Sequence, residues 1–181
     1  ALVRDFYRDH RSHTPLFTEI AREFIRHLES RAERGLGDAP FLLELAHYEW
    51  SELALTLDEH DIADVDHDPD GNLLTGVPIV SPIARVLAYH YPVHRINADF
   101  RPDAPNEQPV LLLLVRDRND DVCFPESDAL SAFLVERLQA NREDSGDACL
   151  AALLRDIDRA DDAGLQASGV AILQRLRERD A

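Results

Sequence analysis

Two pairs of titratable side chains have spacings that could support metal binding or proton transfer. His90 and His94 are four residues apart, which on a helix places two imidazoles on one face, as in many metal sites. Pro92 lies between them and is incompatible with a helix interior. A structural pair, with His94 hydrogen-bonded near Arg95, is therefore the stronger interpretation.

The second pair is His47 and Glu49, which flank Tyr48 beside Trp50. Residues two apart on a helix point in different directions, so the imidazole and the carboxylate should not meet. We expect a polar edge here, with Trp50 and Tyr48 packed between domains.

An acidic segment, residues 66–72, resembles the first half of a calcium-binding loop. It has oxygen-bearing side chains at positions one, three and five and a glycine at position six. Val77 stands at position twelve, where a bidentate Glu is required, and Pro69 stands at position four. A solvated acidic linker is the favoured interpretation, and a metal-buffering protein that uses this loop and the eight histidines is an alternative.

No motif for covalent or nucleotide chemistry occurs in the sequence. It contains no nucleophile elbow, phosphate-binding loop, dinucleotide fingerprint or HExxH string. Cys123 and Cys149 fall in separate predicted elements without metal-ligand spacing, which favours two thiols that act as small hydrophobic side chains. We therefore predict a protein that is not an enzyme and has no cofactor.

The charge of the chain argues against nucleic-acid binding. There are 35 acidic residues and 19 basic ones, all Arg, which gives a net charge of −16. Because affinity for DNA depends mainly on cations that neutralise phosphates, most of this surface should repel DNA.

The apolar segments argue against a membrane role. The longest, Val110–Val115, is the length of a strand and far below the roughly 20 residues of a membrane span. No basic and apolar leader is present, which favours the cytosol. The chain has no Met and begins in helical periodicity, so we expect a fragment or a processed product whose exposed apolar faces allow a homodimer.

The first 58 residues predict a helical domain. A short helix is expected from Leu2 to about His10, and a second follows Thr14 and Pro15 and continues to about Arg31. After a glycine-containing break, Pro40 opens a third helix with an apolar set that includes Phe41, Leu42, Leu45, Trp50, Leu53 and Leu57. The set indicates part of a helical bundle.

Residues 59–77 are expected to be an acidic linker and residues 78–181 a second domain. Its opening, Pro78–Tyr91, is interpreted as a helix or an irregular segment, and Val93–Ala98 as a strand. A Pro-rich loop then leads to a buried strand, Val110–Val115, which pairs with Val122–Phe124 in a hairpin.

Three short helices should follow the hairpin. The first has a cap at Ser127 or Asp128, the second follows Asp147, and the third is marked by apolar residues at Val170, Leu173 and Leu176. The predicted fold class is α+β, with an N-terminal helical fragment followed by a small antiparallel sheet and three helices in a winged-helix-like layout.

Several strings resemble the HvfC/BufC family over nearly the whole chain. The densest are Glu44–Trp50 and Tyr91–Ile96. The others are Leu2–His10, Thr14–Phe17, Glu23–Phe24, Pro40–Leu42, Gly76–Pro78 and Ser81–Arg85. In that family, further helices precede the position of Ala1, in a domain labelled DNA-binding.

The resemblance implies an accessory protein for a multinuclear-iron enzyme of the HvfB/BufB type, which modifies cysteines in a ribosomally made precursor peptide and is linked to metal homeostasis. It also implies a PqqD-like module that captures the peptide as an added strand. We expect the peptide at the edge of Val110–Val115, with contacts from Val110, Leu112, Leu114, Phe133 and Leu134. The alternative is a DNA-binding regulator whose N-terminal domain is completed by residues ahead of Ala1.

Overall fold

The computed structural model describes residues 2–10, 14, 17–60 and 65–181. Six α-helices and a small antiparallel sheet of four strands occur in these residues, which confirms the α+β prediction. The helices are α1 Leu2–Asp9, α2 Phe17–Glu33, α3 Leu42–Thr56, α4 Ala129–Ala140, α5 Gly146–Asp156 and α6 Ala163–Glu178. The strands are β1 Arg85–Tyr89, β2 Val110–Arg116, β3 Val122–Cys123 and β4 Glu126–Ser127.

The chain divides into two compact units. Unit 1 comprises Ala1–Leu57 and Tyr89–Val110, and unit 2 comprises Asp58–Ala88 and Leu111–Ala181. The expected boundary near residue 58 coincides with the first of these divisions. Unit 1, however, also includes residues 89–110, which were predicted to belong to the second domain.

The three helices of unit 1 form where the apolar spacing predicted helices. Phe6 of α1 is buried and lies edge-on to Phe24 and His27 of α2, with ring centroids 5.3 and 5.5 Å away. Leu28 and Leu55 are also buried. The predicted start of α2 at Pro15 lies outside the described residues.

The segment 89–110 does not contain the strand that was predicted at Val93–Ala98. That prediction is wrong, because Val93–Arg95 forms a 3₁₀ turn that ends at Ile96. Pro92 has no amide hydrogen to donate to a ladder, and the chain turns there.

The opening of the second domain agrees with the irregular alternative of its interpretation as far as Ala84 and differs from it after that residue. Residues 77–80 have no regular structure, and Arg85–Tyr89 forms strand β1. Pro78 and Pro82 explain why the chain adopts no helix before this strand.

Strand β2 is the centre of the sheet. It has β1 on one side and pairs antiparallel with both β3 and β4 on the other. Strands β3 and β4 pair with β2 in the same register: Val115 lies opposite Cys123, and Leu111 lies opposite Ser127. Pro125 separates the two short strands. The predicted hairpin is therefore confirmed, and its second strand extends as far as Ser127.

The three helices of unit 2 follow the sheet in the predicted order. Each begins at a side chain that accepts a backbone hydrogen bond: Asp128 for α4, Ser145 for α5 and Asp162 for α6. Their apolar faces form one core with the sheet, made of Ala84, Leu113, Val115, Leu134, Val135, Leu138, Cys149, Leu153, Ile172, Leu173 and Leu176.

The predicted acidic linker is joined to unit 2 at both ends of its described part. The Arg116 guanidinium on β2 donates to the carbonyl oxygens of Asp58 and His60, each at 2.7 Å. Leu73 and Leu74 pack against the core of the unit.

Candidate functional site

The residues predicted to form the peptide site do not meet in one place. Leu112 and Leu114 are buried in the central strand β2. Leu134 is buried in the core against Leu113 and Val115, the strand residues that alternate with Leu112 and Leu114 along β2. Successive residues of a strand face opposite sides of the sheet, so Leu112 and Leu114 lie on the other face from the one that Leu134 contacts.

The other two predicted residues differ in exposure. Val110 is half-buried at the start of β2, and Phe133 on α4 is 51% exposed, so Phe133 does not lie beneath the sheet. The prediction that Val110–Val115 provides the open edge is wrong, because β2 has neighbouring strands on both sides. The continuous apolar run correctly indicated a buried strand, and a strand of that kind is usually central rather than at an edge.

A small groove between β4 and α6 presents strand residues next to a helix. Pro125, Glu126 and Ser127 form one wall, and Arg175 and Arg179 form the other. Its volume is about 80 Å³, and Leu113, Ser131, Ile172 and Leu176 line its base. This is well below the roughly 300 Å³ of a small-molecule site, so the groove suits a side chain of a visiting polypeptide.

The apolar periodicity of α6 gives no signal for the charged residues of this groove. Arg175 lies in the last turn of α6, Arg179 is the residue that caps its C-terminus, and both line the groove. Among the residues that the structure describes, neither guanidinium has a hydrogen bond or an ion pair. Asp128, at the end of the groove, accepts a hydrogen bond of 2.7 Å from the Ser131 amide and caps α4.

A second polar cluster lies in unit 1, where the two densest family strings meet. Glu44 accepts hydrogen bonds from the backbone amides of His90 and Tyr91, at 3.2 and 2.8 Å, and its Oε1 lies 3.1 Å from His90 Nδ1. His47 Nδ1 lies 2.9 Å from the hydroxyl of Tyr89. The carboxylate and the imidazole of α3 thus attach the segment around Pro92 to the helix.

Protonation states in this cluster favour a structural role. Burial raises the pKa of Tyr89 to about 12, so its hydroxyl remains a donor at neutral pH. Burial also lowers the pKa of His47, which keeps the imidazole neutral and able to accept that hydrogen bond. The Ser51 hydroxyl donates to the carbonyl oxygen of His47, one helical turn away, at 2.8 Å. Tyr89, His47 and Ser51 together are here called the clamp.

The candidate metal-binding residues have structural contacts of their own. His90 contacts Glu44, whereas His94 lies in the 3₁₀ turn. In the acidic segment, Asp68 accepts from the Asp70 amide, and Asn72 accepts from the amides of Leu74 and Thr75. Over the described ranges, no three His, Cys, Asp or Glu side chains are grouped as a metal site would require.

The two cysteines differ in environment. Cys123 is exposed on β3, and Cys149 is buried in α5. Burial raises the pKa of the Cys149 thiol, which favours the protonated form of an ordinary core residue.

Apolar surface is also present in unit 1. A groove of about 490 Å³ lies between α1, α2 and α3, with Trp50 and Phe24 in its wall. Val3 and Tyr7, which also line the groove, are 59% and 53% exposed.

None of the helices in the described residues has the length and hydropathy of a membrane span.

Comparison with known families identifies the second part of the chain. The family model described as the HvfC C-terminal domain matches residues 81–177, which is more than half of the 181 residues. A comparison with curated proteins gave no match. The matched range includes the whole sheet and all of α4 and α5, and it ends inside α6. This chain belongs to the HvfC family.

Proposed function

We propose that this chain is a cytoplasmic, non-enzymatic accessory protein that binds a multinuclear-iron enzyme of the HvfB/BufB type and presents a precursor peptide for cysteine modification. Family membership is the observation that carries this proposal. The small α+β unit supports it, because a sheet next to a helix is a common platform for an extended peptide.

The groove between β4 and α6 is the proposed peptide site, and it replaces the edge of β2. An extended peptide would run beside β4 and place one side chain in the groove. Arg175 and Arg179 line the helical wall and could pair with a carboxylate of the peptide.

A different surface is proposed for the enzyme. Phe133 and Ile157, which are 51% and 40% exposed, line one shallow depression between α4 and α5. Exposed aromatic side chains with apolar neighbours are typical anchors of protein interfaces. Phe133 therefore keeps a role in partner binding, although not beneath the sheet as first expected.

Peptide binding can be tested by titrating the precursor peptide into the protein. Replacing Arg175 and Arg179 by Glu should weaken binding by about tenfold or more, since charge-assisted contacts of roughly 1.5 kcal/mol become repulsive. Arg26→Glu is the matched control, because Arg26 is an exposed helical arginine of unit 1. Equal losses in both variants would contradict the groove as the peptide site.

Enzyme binding can be tested by co-purification with the iron enzyme. Phe133→Asp should abolish co-purification while leaving the unfolding transition in place, because this ring is largely exposed. Leu36→Asp, at a similarly exposed leucine of unit 1, is the control. Failure of the unaltered protein to bind either the enzyme or the peptide would refute the proposed function itself.

A further inference from the structure

Unit 2 contains a second cavity, of about 470 Å³, which shares only Leu176 with the groove between β4 and α6. Its floor is aliphatic and consists of Val135 and Leu138 from α4 and Leu173 and Leu176 from α6, each less than a tenth exposed. Residues 67–80, here called the strap, cover one side of it. The volume lies within the roughly 300 to 1,000 Å³ of small-molecule sites.

The strap is held in place by backbone hydrogen bonds, so the cavity has a fixed wall. The amides of Gly146 and Asp147, at the start of α5, donate to the carbonyl oxygens of Gly76 and Leu74 at 3.1 and 3.0 Å. A Cβ atom at Gly146 would lie 2.0 Å from the carbonyl oxygen of Leu73. Only glycine permits this close approach of the strap to α5.

Two arginines stand at the polar side of the cavity. Asp180 accepts from the Nε of Arg118 at 2.5 Å and from its backbone amide at 3.4 Å, which engages both carboxylate oxygens. Arg177 Nη1 donates to the carbonyl oxygen of Gly71 at 3.2 Å. Within the described part of the chain, the remaining guanidinium nitrogens of Arg118 and Arg177 have no partner, so both arginines retain donors that could bind a ligand.

The other titratable groups lining the cavity are His67 and Asp68, both on the strap. His67 Nδ1 lies 2.7 Å from the carbonyl oxygen of Val65. One oxygen of Asp68 accepts from the Asp70 amide at 3.0 Å. These local contacts leave the two arginines as the groups best placed to receive an anion.

We propose that this cavity binds a linear aliphatic carboxylate, with its alkyl chain on the floor and its carboxylate paired with Arg118 and Arg177. An aliphatic floor without aromatic side chains suits a flexible alkyl chain, and guanidinium groups suit a carboxylate. Val77 and Ile79 of the strap, each 45% exposed, form the apolar rim between these two regions. This proposal does not rest on the proposed peptide groove, although Leu176 lines both sites.

Calorimetric titration of the whole chain with octanoate, decanoate and dodecanoate, each below its micellar concentration, tests the proposal. Affinity should rise on the order of tenfold for each two added methylenes, because each adds buried apolar surface. Decanoate should bind about tenfold more tightly than decanol or decylammonium, because only the carboxylate pairs with arginine. No saturable binding, or decylammonium binding as tightly as decanoate, would overturn the proposal.

Two variants locate the ligand. Ile79→Asp places a carboxylate on the rim and should weaken decanoate binding at least tenfold, whereas Leu36→Asp, at a similarly exposed residue of unit 1 outside the cavity, should leave it unchanged. The double change Arg118→Gln and Arg177→Gln should weaken decanoate binding but not decanol binding. Equal weakening of both ligands by the arginine changes, or no effect of Ile79→Asp, would show that the ligand does not occupy this cavity in the proposed orientation.

Discussion

Single side chains on α3 determine how unit 1 holds the segment around Pro92. Glu44 accepts two backbone hydrogen bonds there, and His47 contacts the hydroxyl of the buried Tyr89. Polar groups with few alternative partners are costly to leave unsatisfied, so these contacts should matter more to stability than exposed ion pairs do.

We expect Glu44→Ala to lower the free energy of unfolding by about 1 kcal/mol, because the part-buried amide of Tyr91 loses its acceptor, whereas the exposed amide of His90 can bond to water. Urea denaturation, followed by the fluorescence of the single tryptophan, Trp50 in α3, measures the change in unit 1. Glu49→Ala, on the same helix at an exposed position, should change stability by less than about 0.5 kcal/mol. A smaller loss for Glu44→Ala than for Glu49→Ala would contradict a stabilising role for the Glu44 carboxylate.

The histidines of unit 1 should make it sensitive to acid. Burial lowers the pKa of His27 and of His47, and the positive charge of Arg31 adds to the effect at His27. Below the ordinary pKa of 6.5, the unfolded chain therefore binds more protons than the folded one. The free energy of unfolding should fall as pH decreases through that value and should not depend on these groups well above it.

The contribution of one of these two histidines, His27, can be tested separately. His27 is 5% exposed, and its Nε2 has no hydrogen-bond partner in the described residues. His27→Leu should reduce the loss of stability between pH 7 and about pH 5, measured by Trp50 fluorescence in urea, whereas His67→Gln at an exposed site should not. An unchanged pH profile in His27→Leu would assign the effect to other groups.

At the scale of elements, one glycine fixes how the strap lies against α5. Gly146→Ala should destabilise unit 2 by about 2 kcal/mol, because its Cβ would meet the Leu73 carbonyl and displace two hydrogen bonds. Gly164→Ala is the control, since the nearest atom is a side-chain oxygen of Asp162 at 3.2 Å and alanine favours a helix by up to about 1 kcal/mol. Urea denaturation, monitored by circular dichroism, measures the free energy of unfolding of both variants. A Gly146→Ala variant that is more stable than the unaltered protein would refute the close approach of Leu73 to Gly146.

The elements that the sequence predicts well are those with local signals. The hairpin and the six helices follow from apolar spacing, caps and turns, all of which act within a few residues. Strand β1 and the 3₁₀ turn at Val93–Arg95 depend instead on β2 and on the Glu44 carboxylate, which are distant in sequence. Periodicity carries no information about such partners.

The candidate site illustrates the same limit. The apolar run of β2 predicted burial correctly and favoured a central strand, but it could not identify β1 and β4 as the neighbours that cover its edges. The sequence places Arg175 and Arg179 at the end of the third helix of unit 2, but their position opposite β4 follows only from the packing of α6.

At the scale of the whole molecule, the net charge of −16 opposes the compact state. Repulsion among exposed carboxylates weakens as salt shortens the Debye length, which is roughly 10 Å at 0.1 M. We therefore expect the Tm to rise when NaCl is increased from about 20 mM to about 0.5 M, as measured by scanning calorimetry. The effect should be the same for KCl, because screening depends on ionic strength rather than on the cation.

The same charge makes a prediction about DNA. A chain that binds DNA through many phosphate contacts does so most tightly at low salt, where counterion release is most favourable. For this acidic chain, fluorescence anisotropy with a labelled duplex at about 50 mM salt should show no binding, and lowering the salt further should not produce any. Binding that strengthens steeply as salt falls would instead require a cationic surface that overcomes the excess of 35 acidic over 19 basic residues, and it would favour the DNA-binding regulator over the accessory protein.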